Sequence, residues 1–112
     1  MPEVVFEDLI DNATPLPSGG RVESNTFDVS GARVVNVTLT IPSNDAGVHW
    51  GIHFGPTTNN AYAQCRTATF GDHNTVAVSV PVFGTEMLVV VENRGSRAES
   101  VNGKVYFIRD VP

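Results

Sequence analysis

The residues best suited to metal chemistry are the three histidines, His49, His53 and His73. His49 and His53 share one face of a predicted strand, but four residues of extended chain separate them by roughly 13 Å. One metal ion with ligand bonds of about 2 Å cannot bridge that gap. A cupin-type site needs two histidines two positions apart and a further carboxylate, and the sequence lacks this pattern. We therefore expect no metal and no cofactor. We expect the histidines to lie on the surface or to face a partner.

Nucleophiles and carboxylates show no catalytic arrangement either. The sequence has no Gly-x-Ser-x-Gly elbow and no glycine-rich phosphate loop. Cys65 is the sole cysteine, so it forms no intramolecular disulfide, and we expect a buried structural thiol. The acidic residues considered for paired-carboxylate chemistry sit at predicted turns or strand ends, where solvated charges are ordinary. They are Asp45, Asp72, Glu86 and Glu92. We expect that the chain is not an enzyme.

The charge balance excludes several classes of partner. Twelve acidic residues against seven basic ones give a net charge of −5, and Lys104 is the only lysine. Nucleic-acid binding needs basic side chains that replace the counterions of the phosphates, so we expect no nucleic-acid partner. No stretch of about 20 apolar residues is present, which excludes a membrane-spanning helix. The first residues lack the pattern of a signal peptide, and the compartment stays open.

Alternation of apolar and polar residues defines the elements that must position any site. Apolar residues occupy every second position of 35–41, which is the period of a strand with one buried face. Similar patterns predict strands at 48–54, 62–70, 76–82, 86–92 and 101–108. The strand at 86–92 is apolar on both faces, so we expect it to be central or covered. Pro81 places its strand at an edge or marks its end.

The N-terminal third is less regular. Residues 21–29 are predicted to form one strand. Residues 4–10 fit either a helix or a strand, and we favour the strand. Residues 12–20 contain two prolines and two glycines and predict a long loop.

Together these elements predict an all-β domain spanning residues 1–112, built as a two-sheet antiparallel β-sandwich of about eight strands. Eight strands with turns between them are typical of a jelly roll. The alternative is a seven-stranded immunoglobulin-like sandwich, which a buried Trp50 would fit but which usually carries a cysteine pair. The architecture resembles small jelly-roll modules that bind carbohydrates, and equally those that build trimers and viral or phage particles. This resemblance is one of fold alone.

Two surfaces follow from the predicted strands. If strand direction alternates, the turns at 43–45, 72–74 and 94–97 gather at one end, where polar side chains suit sugar hydroxyls. The first functional hypothesis is therefore a non-enzymatic binding module with a saccharide ligand at this end. Its candidate residues are Asp45, Asp72, His73, Asn74, Arg94 and Arg97.

The second surface is the outward face of the middle strands, which carries few long charged side chains. Another protein subunit could cover it, or cover the first strand, so the alternative hypothesis is a homo-oligomeric structural or assembly subunit. The residues of this predicted face are Asn36, Thr38, Thr40, His49, Gly51 and His53, with Gln64 and Arg66 as further members.

Overall fold

The computed structural model describes residues 1–43, 47–55 and 63–110, with the backbone alone for residues 63–65. Within these residues the regular structure consists of nine strands, and no helix is long and apolar enough to cross a bilayer. The strands are β1 (Pro2–Leu16), β2 (Arg21–Glu23), β3 (Phe27–Asp28), β4 (Ala32–Thr40), β5 (Val48–Gly55), β6 (Ala63–Thr69), β7 (Thr75–Pro81), β8 (Glu86–Asn93) and β9 (Glu99–Asp110).

The strands form two antiparallel sheets. Sheet A has the order β1-β9-β4-β7, and sheet B has the order β2-β8-β5-β6, with the short β3 also paired to β8. The chain changes sheet at most of its connections, which is the winding of a jelly roll. An immunoglobulin-like sandwich would instead join several pairs of consecutive strands as hairpins of one sheet. The prediction of a jelly-roll-like sandwich is confirmed.

The core lies between the sheets and is built by every second residue of the long strands. In β4, Val35, Val37 and Leu39 are at most 1% exposed. Burial of each such side chain contributes roughly 1.5–3 kcal/mol. Trp50 faces this core, as the alternation of β5 predicts. β8 lies between β2 and β5, which confirms that the strand with two apolar faces is central.

The edges of sheet A are β1 and β7. Pro81 is the last residue of β7, so the expectation that proline marks an edge or a strand end is confirmed. The strand prediction for 4–10 is confirmed as part of β1. The loop prediction for 12–20 is wrong over its first half, because β1 continues to Leu16 and pairs with β9 up to Leu16↔Glu99. Register shifts absorb the irregular residues, and Ala13 adopts a positive φ of 59° within them.

The predicted strand at 21–29 is also interrupted. Ser24 is buried between β2 and β3, and its Oγ accepts a hydrogen bond of 2.8 Å from the Val89 N–H. The hydroxyl thus satisfies a donor that a ladder carbonyl would otherwise take, and the pairing with β8 resumes only at Phe27. Because the interruption depends on a hydrogen bond between the Ser24 hydroxyl and the backbone of a strand remote in sequence, alternation alone does not reveal it.

Candidate functional site

Hydrogen bonds between connections assemble one end of the sandwich. The Arg94 N–H donates to the Gly47 carbonyl over 2.8 Å, and the Ile41 N–H donates to the Asn74 carbonyl over 2.9 Å. The Gly19 N–H reaches the carbonyl of Asn93 at the end of β8 over 2.8 Å. The β1–β2, β6–β7 and β8–β9 connections and the described part of β4–β5 therefore meet here. We call this region the loop-rich end.

The structure places five of the six predicted saccharide-site residues at the loop-rich end, all of them exposed. Asp72, His73 and Asn74 lie on the β6–β7 turn, which the His73 N–H closes by donating to the Phe70 carbonyl. The other two are Arg94 and Arg97, on the β8–β9 connection. Asp45 lies outside the described residues.

These residues do not converge on one pocket. The Arg94 Nε lies 2.6 Å from Glu92 Oε1, and its side chain reaches over the outer face of sheet B. Arg97 contacts Glu99, whose side chain is only 3% exposed. Asn74 instead lines a cleft on the side of sheet A. The set shares an end of the sandwich, and its role in binding stays a prediction.

Asn93 is a residue of this end that the sequence analysis did not single out. It is fully buried, and its Nδ2 donates to the Leu16 carbonyl at 3.1 Å and to the Arg97 carbonyl at 2.7 Å. Its Oδ1 accepts from the Gly95 N–H at 2.9 Å. One signal could have revealed it, because an amide occupies the inward position that follows Met87, Val89 and Val91 in the alternation of β8.

Three amides border a cleft of about 240 Å³ beside the loop-rich end, which we call the amide cleft. They belong to Asn12, Asn74 and Asn102, and the hydroxyl-bearing Thr40 and Ser100 also line it. Asn102 Nδ2 donates to Asn12 Oδ1 at 3.1 Å. Amides and hydroxyls both donate and accept hydrogen bonds, so this lining suits the hydroxyl groups of a neutral sugar.

The predicted second surface is not one surface. β4 belongs to sheet A and β5 to sheet B, so their outward faces point to opposite sides of the molecule. The prediction is wrong because a period of two assigns residues to an inner or outer face but does not say which sheet holds the strand. Asn36, Thr38 and Thr40 therefore lie on sheet A. The residues on sheet B are His49, Gly51, His53 and Arg66, while the side chain of Gln64 lies outside the described part.

The outer face of sheet A carries an apolar patch that consists of Val4, Phe6, Val34, Tyr106 and Ile108. These side chains are between 38% and 63% exposed. Cross-strand pairing places Val4 beside Ile108 and Phe6 beside Tyr106, and the two rings meet edge to face with centroids 6.3 Å apart. A groove of about 330 Å³ runs past Val34, Tyr106 and Ile108.

The outer face of sheet B carries a cavity of about 120 Å³ that we call the His–Arg cavity. The pKa of His53 is lowered, first by burial of the imidazole and then by the positive charge of Arg21, so its neutral form is favoured. No group of three or more histidine, cysteine, aspartate or glutamate side chains within the described residues is arranged to hold a metal ion. The residues that line the cavity are Arg21, His49, Trp50, Gly51, His53, Thr67, Val90, Glu92 and Arg94.

Fold and surfaces together define a small jelly-roll sandwich with two chemically different outer faces. No protein-family model and no curated protein sequence matches the chain. Solved structures similar in fold include a chain of infectious bursal disease virus, Gx strain, with a TM-score of 0.56 and 10% identity over 96% of this chain. This chain spans about a third of that one, with a coverage of 32%.

Two other similar structures match over most of their own length. The SPBc2 prophage-derived protein YomS has a TM-score of 0.56 and 12% identity, with 95% of both chains covered. The Yersinia pseudotuberculosis-derived mitogen has a TM-score of 0.53 and 11% identity, with 100% of this chain and 91% of that chain covered. At such low identity the likeness shows the fold alone.

Proposed function

We propose that this chain is a non-enzymatic assembly module that associates with further copies of itself through the outer face of sheet A. The observation that carries the proposal is the apolar patch, in which Phe6 is 63% and Val4 62% exposed. Monomeric proteins rarely leave a contiguous group of large apolar side chains in water, because burial of that surface is favourable. A partner that covers the patch gains this free energy.

Charge distribution favours a second copy as that partner. The charged side chains beside the patch on β1, β9 and β4 are two acidic and two basic ones. Asp8 and Lys104 pair with each other at 2.7 Å, and Asp110 and Arg33 border the groove that runs past the patch. The face is therefore neutral, although the chain has a net charge of −5. Two such faces approach without like-charge repulsion, whereas a strongly charged partner would find no complementary charge on them.

The position of β1 adds to this argument. It is an edge strand of 15 residues, so the backbone on its open side has no strand partner within the described residues. Natural edge strands of this length are usually blocked or covered, because they template further pairing. Association over the apolar patch would cover the outer face of the same strand.

The test is the solution mass of Phe6→Glu, measured by light scattering on a sizing column. We expect the wild type to elute as a closed oligomer and Phe6→Glu to elute at the monomer mass of 12.0 kDa. The matched control is Phe83→Glu, since Phe83 is 67% exposed and lies outside the patch. A monomeric wild type, or an oligomer that Phe6→Glu leaves intact, would contradict the proposal.

Saccharide binding is the second candidate, and the amide cleft is the observation that favours it. Asn74, from the predicted site, lines this cleft together with Asn12 and Asn102. We expect Asn74→Ala to weaken binding of a neutral oligosaccharide identified in a glycan screen by about tenfold, through lost hydrogen bonds. Asn36→Ala, which removes an amide from the middle of sheet A, serves as the control. If no neutral glycan binds, or if Asn74→Ala binds as the wild type does, this candidate fails.

A further inference from the structure

The His–Arg cavity is built around Gly51 in the middle of β5. His49, Gly51 and His53 occupy successive outward positions, so the missing side chain leaves a depression between two imidazoles. Cross-strand pairing places Val90 and Thr67 on either side of Gly51. The volume of about 120 Å³ is similar to that of a cavity of about 150 Å³ that accepts one benzene ring. The depression thus has room for a single ring.

Two arginines border this depression. The structure pairs Arg21 with Glu92 across the strands and places the Arg94 Nε 2.6 Å from Glu92 Oε1. An arginine side chain presents five N–H donors, so a guanidinium that contacts one carboxylate through Nε retains donors for a second one. Planar guanidinium groups match carboxylates in a two-pronged geometry. The cavity therefore offers directed donors for a carboxylate.

Acidic groups next to the arginines set the charge of the cavity. Glu92 pairs with Arg94, and Glu23 lies 3.6 Å from Arg21, so at neutral pH the two positive charges are balanced. A ligand with one negative charge is less strongly repelled by these glutamates than a doubly charged phosphate. Protonation of His53 adds positive charge to the cavity. The charged residues that act on His53 are Arg21 and Glu23 on β2. Glu92 on β8 and Arg94 after it also border the cavity, and β6 contributes the uncharged Thr67 to the lining.

We propose that the His–Arg cavity binds the carboxylate of a uronic sugar, with an affinity that rises as the pH falls from neutral to mildly acidic. The sugar ring lies over Gly51 and Val90, and the Thr67 hydroxyl stands at its rim. His53 has a lowered pKa, so it is neutral at neutral pH and gains its charge only below its ordinary range. This proposal uses the opposite face from the self-association surface and does not depend on it.

The experiment is an amide chemical-shift titration with sodium glucuronate at about pH 7.5 and about pH 5.5. The carboxylate of the ligand stays ionised at both values, whereas His53 gains charge only towards the lower one. Glucose supplies the same ring without the charge, and acetate supplies the carboxylate without the ring. We expect glucuronate to bind about fivefold more tightly at the lower pH, as roughly one added charge near the ligand implies. Glucose and acetate should bind at least about fivefold more weakly than glucuronate.

Variants locate the binding to the cavity. Arg94→Gln and Arg21→Gln should each weaken glucuronate binding at least about fivefold, because each removes a charged donor. The control is Arg33→Gln. Arg33 is an exposed arginine on the opposite face, so its substitution should leave glucuronate binding unchanged. His53→Gln should keep the affinity at neutral pH and lose much of the gain at acidic pH.

Several results would overturn the proposal. The first is the absence of glucuronate binding at about 20 mM, which corresponds to a binding free energy weaker than about −2.3 kcal/mol. The others are equal binding of glucose or acetate and an affinity that Arg94→Gln does not change. Circular dichroism and the thermal midpoint establish that each variant is folded. Since the substituted side chains are 57% and 60% exposed for Arg21 and Arg94, loss of the fold is not expected.

Discussion

Asn93 shows how a single residue holds the loop-rich end together. Its amide donates to carbonyls of Leu16 and Arg97 and accepts from the N–H of Gly95, so the end of β1 and the β8–β9 connection share one side chain. Buried backbone groups need such partners, because water does not reach them. The exposed residues Arg94 and Arg97 take their positions from this buried amide.

Asn93→Leu tests the role of this amide. The substitution keeps four side-chain heavy atoms branched at Cγ but removes the hydrogen bonds of the amide to the Leu16 and Arg97 carbonyls and to the Gly95 N–H. We expect the free energy of unfolding to fall by about 2–4 kcal/mol, measured by urea denaturation. Asn12→Leu is the control, since Asn12 is exposed and a surface change usually alters stability by less than about 0.5 kcal/mol. A loss as small for Asn93→Leu as for the control would show that the network contributes little.

Site residues were predictable only in part, for reasons that particular residues illustrate. The turn composition around Asp72 and Arg94 correctly predicted exposed polar residues at one end of the sandwich. It did not predict that the Arg94 guanidinium turns towards Glu92 over sheet B while Asn74 lines the amide cleft. These directions depend on which strands are neighbours, and that order is a tertiary property that local patterns do not encode.

At the level of elements, alternation predicted the long strands closely. The prediction for 86–92 matches β8 (Glu86–Asn93), and the prediction for 76–82 matches β7 (Thr75–Pro81). β1 was underestimated because Pro15 and the irregular residues before it resemble a loop. β1 continues through them because β9 supplies partners on both sides of the irregular residues, up to Leu16↔Glu99, and an edge strand tolerates proline.

Two glycines in connections between strands have the same backbone conformation but different surroundings. Gly31 joins β3 to β4 with a φ of +81°, and a Cβ there would lie 2.5 Å from the Asp110 carbonyl oxygen at the end of β9. Gly19 has a similar φ of +77°, but a Cβ there would meet nothing within 4 Å. Both positions carry the cost of a left-handed backbone for any other residue, and only Gly31 adds a collision with backbone.

We expect Gly19→Ala to lower the free energy of unfolding by about 1 kcal/mol, the cost of the left-handed conformation alone. Gly31→Ala should lower it by about 2 kcal/mol more, because the end of β9 or the turn must move. Urea denaturation of both variants gives the difference directly. Equal losses for the two substitutions would mean that the contact between the β3–β4 turn and β9 relaxes at no cost.

Across the whole molecule, the two outer faces carry chemically different side chains. Sheet A presents the apolar patch beside one internal ion pair, Asp8–Lys104. Sheet B carries histidines, arginines and glutamates around a small cavity. The two faces lie on opposite sides of the core, so a substitution on one face should leave the function of the other intact. This separation allows self-association and ligand binding to be measured independently.

Self-association through the neutral face predicts an unusual response to salt. Each copy carries a net charge of −5, and the shortest dimension of the molecule is 20 Å, so two copies stacked on sheet A repel one another over about that distance. The screening length falls from about 30 Å at 0.01 M salt to about 8 Å at 0.15 M. This removes about 1–2 kcal/mol of repulsion, and we expect the dissociation constant to fall by roughly tenfold, as measured by sedimentation equilibrium.

Lys104→Gln supplies the contrast, because it leaves Asp8 without its partner at 2.7 Å and makes the interface itself acidic. This variant should associate more weakly than the wild type at low salt and recover as salt screens the added repulsion. An interface built on ion pairs between the copies would respond in the opposite direction and weaken as salt is added. Weaker association of the wild type at higher salt would therefore exclude the neutral face of sheet A as the contact surface and point to the charged face of sheet B.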